Sequence, residues 1–313
     1  MDKHVSGVSQ TMSRFRGWIQ AGATLLTNLH LPNFLKGGLY QGAGKNLCVP
    51  GLNCYSCPAA SGACPIGAFQ AVVGSSKFRF SYYITGFLIL LGVLLGRFIC
   101  GFLCPFGWFQ ELLHKIPTKK LSTKRLKPLT YLKYAILLVM VFLLPAFLVN
   151  DVGMGDPYFC KYLCPQGVLE GAIPLSLANS GIRGALGSLF TWKFTILLAV
   201  ALLSVLFYRP FCKWLCPLGA FYALLNQVSL FQMKVDENKC VSCGRCARAC
   251  KMDVDVTKTP NHTECIRCGM CIRACPTDAV RFRYGFGEGK DQTKAADQLP
   301  RNDNMHKEEQ NHE

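Results

Sequence analysis

Charge is scarce in this sequence. Only 17% of its 313 residues are charged, against roughly a quarter in ordinary soluble domains. Acids are the scarcer sign, 18 against 34 lysines and arginines, a net +16. A basic balance raises the question of nucleic acid, but here the positive charge adjoins apolar runs. A membrane surface is the simpler partner, and no nucleic-acid partner is expected. Histidine is sparse too, six in all, and no C-x-x-C-H is present for haem attachment. There is no dinucleotide fingerprint, P-loop or nucleophile elbow. No cleavable leader is read in residues 1–35, which lack a clear small-residue cleavage site.

What the chain has is cysteine and apolar length. Half its residues are hydrophobic and 18 are cysteine. The cysteines fall in short clusters rather than being spread like a disulfide framework, which points to metal sites. One pattern recurs. Cys100–Gly107, Cys160–Gly167 and Cys212–Gly219 each read C-x-x-x-C-P-x-G. A degenerate fourth copy ends in Cys64-Pro65-Ile66-Gly67, with Ala60 where its first cysteine would stand and Cys54 and Cys57 upstream. Cysteines four apart share a face of a helical turn and can offer two thiolates to one centre. The proline fixes φ, and the glycine allows close approach of the backbone.

Three apolar runs of about 20 residues, the length that crosses a bilayer, cover Phe80–Ile99, Pro128–Val149 and Leu189–Tyr208. A weaker run, Arg14–Leu35, takes the place in the first half that Pro128–Val149 holds in the second. The expected fold is therefore a polytopic α-helical membrane protein with about four membrane segments, internally duplicated, followed by a C-terminal two-cluster ferredoxin-like α+β domain. The membrane domain covers 1–235, in halves of about 14–127 and 128–235. Residues 1–13 read as loose, 220–234 as an amphipathic stretch along the membrane face, 236–284 as the ferredoxin-like domain and 285–313 as a disordered polar tail. Lysine and arginine crowd the loop after Cys104, whereas the loop after Asn150 is nearly balanced. The first loop and the C-terminal domain are thus expected inside and the second loop outside. Cys100, Cys104, Cys212 and Cys216 then lie at the inner face. Cys54, Cys57, Cys64, Cys160 and Cys164 lie at the outer one.

The most specific signal is Cys240-x2-Cys243-x2-Cys246-x3-Cys250 followed by Cys265-x2-Cys268-x2-Cys271-x3-Cys275-Pro276. This is the bacterial two-cluster spacing, in which each fourth cysteine serves the other [4Fe–4S] cluster. One cluster would use Cys240, Cys243, Cys246 and Cys275, the other Cys265, Cys268, Cys271 and Cys250. The four inner cysteines suit either an iron–sulfur centre or tetrahedral zinc, and the adjoining redox domain favours iron–sulfur. At the outer face the ligand choice is open, with Cys48 a further candidate and a disulfide an alternative. Arg97, beside the inner cysteines, reads equally as a stabiliser of an anionic cluster and as an interfacial snorkelling residue.

The C-x-x-x-C-P pairs after membrane spans, with the ferredoxin octet behind them, resemble the NapH-type membrane polyferredoxins over roughly residues 80 to 283. That family includes the quinol-dehydrogenase subunit of periplasmic nitrate reduction and has relatives in nitrous oxide reductase maturation. The resemblance rests on Cys100/Cys104, Cys212/Cys216 and the eight ferredoxin cysteines. It implies a multi-pass protein of a prokaryotic plasma membrane that carries electrons, with quinol a donor in some members. The extra motifs at Cys54–Cys64 and Cys160–Cys164 depart from the nitrate-reductase type. The expected function is electron transfer between a cytoplasmic carrier (a ferredoxin, a flavodoxin or an oxidoreductase subunit) and the quinone pool or an outer-face redox protein. An electron carrier is favoured over an enzyme in its own right. The alternative is a redox-sensing or maturation protein that supplies reductant to an outer metalloenzyme. His30 and His114, near opposite membrane edges, are candidates to face a quinone, with a surface or capping role the better reading.

Overall fold

The computed structural model describes residues 2–75, 81–151 and 153–285. The polar tail expected over 285–313 lies, beyond Gly285, outside the described residues, as does Phe80 at the start of the first strong span.

Each C-P-x-G copy starts a helix for the same local reason. The residue before a proline is pushed to extended backbone, and a proline costs nothing at the first helical position, where its missing N–H would be unpaired anyway. Cys64 (ψ 123), Cys104 (ψ 115) and Cys216 (ψ 110) accordingly cap helices Pro65–Gly74, Pro105–His114 and Pro217–Leu225. Cys164 has the same conformation (ψ 113) and precedes the apolar helix Gly167–Ala178. Three of the first cysteines sit on short helices just upstream, Phe98–Phe102, Phe159–Leu163 and Pro210–Trp214.

Four longer segments connect an inner layer to an outer one. Arg16–Thr27 begins at Glu111, bound by Arg16 at 2.7 Å, and ends where Thr27 O accepts from Ser61 N. Tyr82–Leu95 ends where Leu95 O accepts from Arg267. Lys124–Phe147 is anchored at the inner end by Lys133 on Glu264. Ser188–Leu206 runs from Lys193, which donates to Cys160 O, to Ser204 O, which meets His114. The expected count of four membrane segments is met in part. Only Lys124–Phe147 (24 residues) and Ser188–Leu206 (19 residues) are long and apolar enough to cross a membrane among the described residues. Arg16–Thr27 and Tyr82–Leu95, with 12 and 14 residues, reach only about 18 and 21 Å at 1.5 Å per residue. Both long helices are mostly exposed, only 28% and 17% of their apolar windows being buried.

The C-terminal unit begins at strand Phe231–Val235, which pairs antiparallel with Val280–Tyr284. Residues 220–234 therefore do not form a surface helix. Ala220, Tyr222 and Ala223 are buried in the helical core, and Met233 in the strand pair. Residues 2–14, expected to be loose, form a helix that clasps this unit, with Ser9 Oγ accepting from Phe282 N at 3.2 Å and Gln10 donating to Asp278. Buried ion pairs fasten the unit to the inner layer. Arg97 and Lys133 grip Glu264 at 2.9 and 2.5 Å, and Lys213 grips Asp253 at 2.9 Å.

Candidate iron–sulfur sites

The ferredoxin octet separates into two groups. Cys240, Cys243, Cys246 and Cys275 line one small cavity. Cys250, Cys265, Cys268 and Cys271 line another. The loops are matched. Ser242 and Gly244 in the first run, and Arg267 and Gly269 in the second, hold positive φ (51, 65, 51 and 75°). Such turns direct successive backbone N–H groups inward, as an anion requires. Cys243 is exposed, while Cys268 packs against the helical core. A Cβ on Gly101 would lie 2.3 Å from Ile266 O and 3.8 Å from Cys268 Cα, so the second group abuts the inner motif.

Cys100, Cys104, Cys212 and Cys216 are all buried and within one another's electrostatic reach. Burial first, then Cys212 and Cys100, pushes the Cys104 thiol up to about 12. Burial raises the Cys212 and Cys216 thiols as well, and buried thiols become thiolates most readily with a cationic centre among them. Gln110 Nε2 donates to Cys212 Sγ at 3.1 Å, and Gly219 N to Cys216 Sγ at 3.3 Å. Donors aimed at sulfur fit an anionic cluster.

The outer cysteines surround a cavity of about 540 Å³. Cys54, Cys64, Cys160 and Cys164 line it, with Cys48 as a fifth thiol in the wall. Sγ of Cys160 lies 3.7 Å from where a Cβ on Gly67 would be, and Sγ of Cys54 3.6 Å from one on Gly167. Each half's sulfur thus crosses to the other half's motif glycine. Cys54, reaching in from a loop, supplies the thiol that Ala60 lacks. Cys57 is not brought to this cavity; it is fully buried with its Sγ 3.5 Å from Asn28 Oδ1. All eighteen cysteines are free, Cys160 and Cys164 among them. Gln70 Nε2 donates to Cys160 Sγ at 3.2 Å, while Glu170 accepts from Cys54 N at 3.1 Å. Burial raises the Glu170 carboxyl to about 7.

The sequence put inner and outer sets on opposite membrane faces. In the structure one thin wall divides them. Burial, then Cys100 and Cys104 from the inner set and Cys64 and Cys48 from the outer side, holds the Tyr222 phenol well above its usual pKa. Its hydroxyl donates to Pro50 O at 3.0 Å. A Cβ on Gly51 would lie 2.9 Å from Cys104 Cα, and neighbouring Leu52 lines the outer cavity.

Among the described residues no three His, Cys, Asp or Glu side chains close round a single metal ion. That holds for the ferredoxin octet as well. Arg97 does not snorkel; it is 0% exposed and faces inward. His114 is buried against Ser204 O at 3.2 Å and edge-on to Tyr208, and His30 stacks on Tyr40 at 3.7 Å. Arg209, and the glutamines six residues after Cys64 and Cys104, escaped sequence reasoning, though comparing the internal repeats with one another would have found them.

These sites define an iron–sulfur protein of ferredoxin type that carries further cysteine sites within a helical frame. A family model described as a 4Fe-4S binding domain matches residues 62–83, 80–124, 133–173 and 189–236. A second 4Fe-4S binding domain matches 233–254 and 259–281. An uncharacterised protein of Methanocaldococcus jannaschii is 31% identical over 209 residues, 64% of this chain and 77% of that one. The methylamine utilization ferredoxin-type protein MauN of Methylorubrum extorquens is 29% identical over 199 residues, 61% of this chain and 56% of that one. The ferredoxin-type protein NapH of Haemophilus influenzae is 27% identical over 150 residues, 35% of this chain and 52% of that one. The chain belongs to the NapH-type polyferredoxin family, binds iron–sulfur clusters and is an electron-transfer protein. It spans only about half the length of MauN and NapH. No solved structure matches it.

Proposed function

We propose that this chain is a membrane-held relay that carries electrons between a soluble redox protein at the Cys243 end and an acceptor at the outer cavity. Bound iron–sulfur clusters supply one-electron storage; everything else is done by the chain's own residues. Cys240, Cys243, Cys246 and Cys275 hold the first centre and Cys250, Cys265, Cys268 and Cys271 the second. Cys100, Cys104, Cys212 and Cys216 hold the third, and Cys54, Cys64, Cys160 and Cys164 the fourth. The helices Lys124–Phe147 and Ser188–Leu206 seat the frame in the bilayer, with the ferredoxin unit on the cytoplasmic side, as the lysine-rich loop after Cys104 favours. Residues 1–235 and 236–284 serve as frame and electron port.

The observation that carries this reading is the serial order of the four cysteine groups, from exposed Cys243 through Gly101 and Ile266 to the wall at Tyr222. Adjacent groups abut, as successive short electron steps require. A sensor would need only one group that answers to oxidant. The test is anaerobic purification followed by iron and sulfide counts and redox-poised paramagnetic spectra. Cys216→Ser is expected to leave both ferredoxin centres reducible while electrons no longer reach an acceptor at the outer cavity. Iron sufficient for the two ferredoxin centres alone would refute the relay.

A further inference from the structure

Arg97 and Arg209 occupy equivalent places, each three residues before the first cysteine of an inner motif, Cys100 and Cys212. Both side chains are 0% exposed. Each guanidinium crosses to the other half's motif. Arg209 Nη1 lies 3.0 Å from where a Cβ on Gly107 would be, and Arg97 Nη2 3.7 Å from one on Gly219. Arg209 also holds left-handed backbone, φ 51, which an L residue adopts only where its surroundings impose it.

One edge of each guanidinium is neutralised. Arg97 Nη1 meets Glu264 at 2.9 Å, and Arg209 Nε meets Glu111 at 2.8 Å. The other edges are not. Arg97 Nε and Nη2, and Arg209 Nη2, are buried without a hydrogen-bond acceptor. Leaving a buried charged donor unpaired is more costly than any other hydrogen-bonding defect. The Cys100, Cys104, Cys212 and Cys216 set is the group whose charge both arginines feel, Arg97 that of Cys100 and Arg209 that of Cys212 and Cys104. The outer site has no counterpart, because Cys57 and Pro157 stand at the equivalent positions. Its wall cations are Lys45 and Lys193, whose ammonium groups are taken by Tyr55 O at 2.5 Å and Cys160 O at 2.9 Å.

We propose that Arg97 and Arg209 form a paired cationic clamp on the inner four-cysteine site, turning their free N–H groups to its sulfurs and raising its reduction potential. The proposal rests on the reading that these four cysteines hold an iron–sulfur centre. Reduction there adds one electron and one negative charge. Neither arginine gives or takes a proton, since a guanidinium stays charged in proteins. A fixed pair of positive charges therefore favours the reduced form at every working pH. It also makes the inner site the more readily reduced of the two within the helical frame.

The test compares the full chain with Arg97→Gln, Arg97→Lys and Arg209→Gln, each purified anaerobically, counted for iron and sulfide and titrated under redox poise. Each Gln variant is expected to keep its iron and to lower the inner centre's reduced-to-oxidised ratio about tenfold at a fixed poise, or about 59 mV for one electron. The Cys240–Cys275 centre is expected not to move. Arg97→Lys, which keeps the charge, is expected to shift less than Arg97→Gln. An inner potential unchanged in iron-replete Gln variants overturns the clamp, as does an equal shift in the Lys and Gln variants. If Arg97→Gln loses inner iron, Arg209→Gln decides by the same measure, a lowered ratio supporting the clamp and an unchanged one overturning it. A wild-type chain with iron for the ferredoxin centres alone would instead overturn the cluster reading on which the clamp depends.

Discussion

Gln110 joins the two halves of the chain at Cys212. Its Nε2 donates to the sulfur at 3.1 Å, and its Oε1 accepts from Phe211 N at 3.1 Å. Gln70 makes the same pair of bonds at the outer site, to Cys160 Sγ at 3.2 Å and from Phe159 N at 3.0 Å. Each glutamine stands six residues after its own half's C-P cysteine and secures the other half's first cysteine. In the second half that position is filled by Glu170 and Tyr222, so the duplication is complete in frame but not in chemistry.

Replacing Gln110 by Leu removes an N–H···S bond and orphans the Phe211 N–H. A buried unsatisfied donor costs about 1–3 kcal/mol, so the apparent Tm is expected to fall. The inner centre, losing a donor to sulfur, is expected to become harder to reduce. A redox titration showing an unchanged inner potential would mean that Gln110 acts only in packing.

Cys54 and Cys57 separate cleanly. Cys54→Ser is expected to remove one centre, about four irons per chain for a [4Fe–4S] cluster, while Cys57→Ser retains the full iron count. Equal losses, or loss only with Cys57, would show that the outer cavity is closed by the wrong cysteine in this account.

The crossed ferredoxin arrangement predicts that Cys275→Ser damages the centre shared with Cys240, not the one at its sequence neighbours Cys265–Cys271. Paramagnetic spectra of the reduced variant should keep the signal of the buried centre and lose that of the exposed one.

The cysteine spacings made most of this molecule readable. The octet's 3-3-4 runs and the C-P-x-G copies depend on local geometry, a turn of helix and a proline at its first position, and local geometry is written in consecutive residues. What escaped was set by tertiary contact. Cys54 lies outside the four-residue frame because a loop carries it in. Residues 2–14 look polar and unanchored, yet Ser9 and Gln10 find their partners some 270 residues away, at Phe282 and Asp278. The four-segment expectation is met only in part because apolar content does not fix where a helix stops. Tyr82–Leu95 ends at Gly96, whose φ of 55° breaks the helix, and Arg97 then turns inward to Glu264.

Glu264 should reveal itself through pH. Burial alone would raise its carboxyl, but Arg97 and Lys133 outweigh that and hold it at about 2, below its ordinary 4.5. A depressed folded pKa contributes stability that is fully present above the unfolded value and lost as pH falls from there toward the folded one. Glu264→Gln strands Arg97 and Lys133, and breaking a buried pair costs about 3–5 kcal/mol. The deficit relative to wild type is expected to shrink as pH falls below about 4.5 toward about 2, where the wild-type carboxylate takes up its proton. A deficit that stayed constant through that range in anaerobic unfolding curves would contradict the assignment.

The membrane reading makes a geometric prediction. Lys120 Nζ donates to Val205 O at 2.8 Å, near one end of Ser188–Leu206, while Lys193 near the other end donates to Cys160 O at 2.9 Å. Asp156, paired with Lys161 at 2.5 Å, belongs to the Cys160 end. The helical rise from 193 to 205 is only about 18 Å, less than the roughly 30 Å of a typical hydrocarbon core, so the bilayer must thin or the flanking lysines must reach out to it. The exposed Trp18 and Trp192 are suited to its two interfaces. In sealed vesicles of known orientation, an impermeant thiol reagent is expected to modify Lys119→Cys only from the cytoplasmic side. Asp156→Cys should react only from the opposite side. Modification of both from one side would show that Ser188–Leu206 does not cross the bilayer. The four cysteine sites would then form a relay lying along the membrane surface.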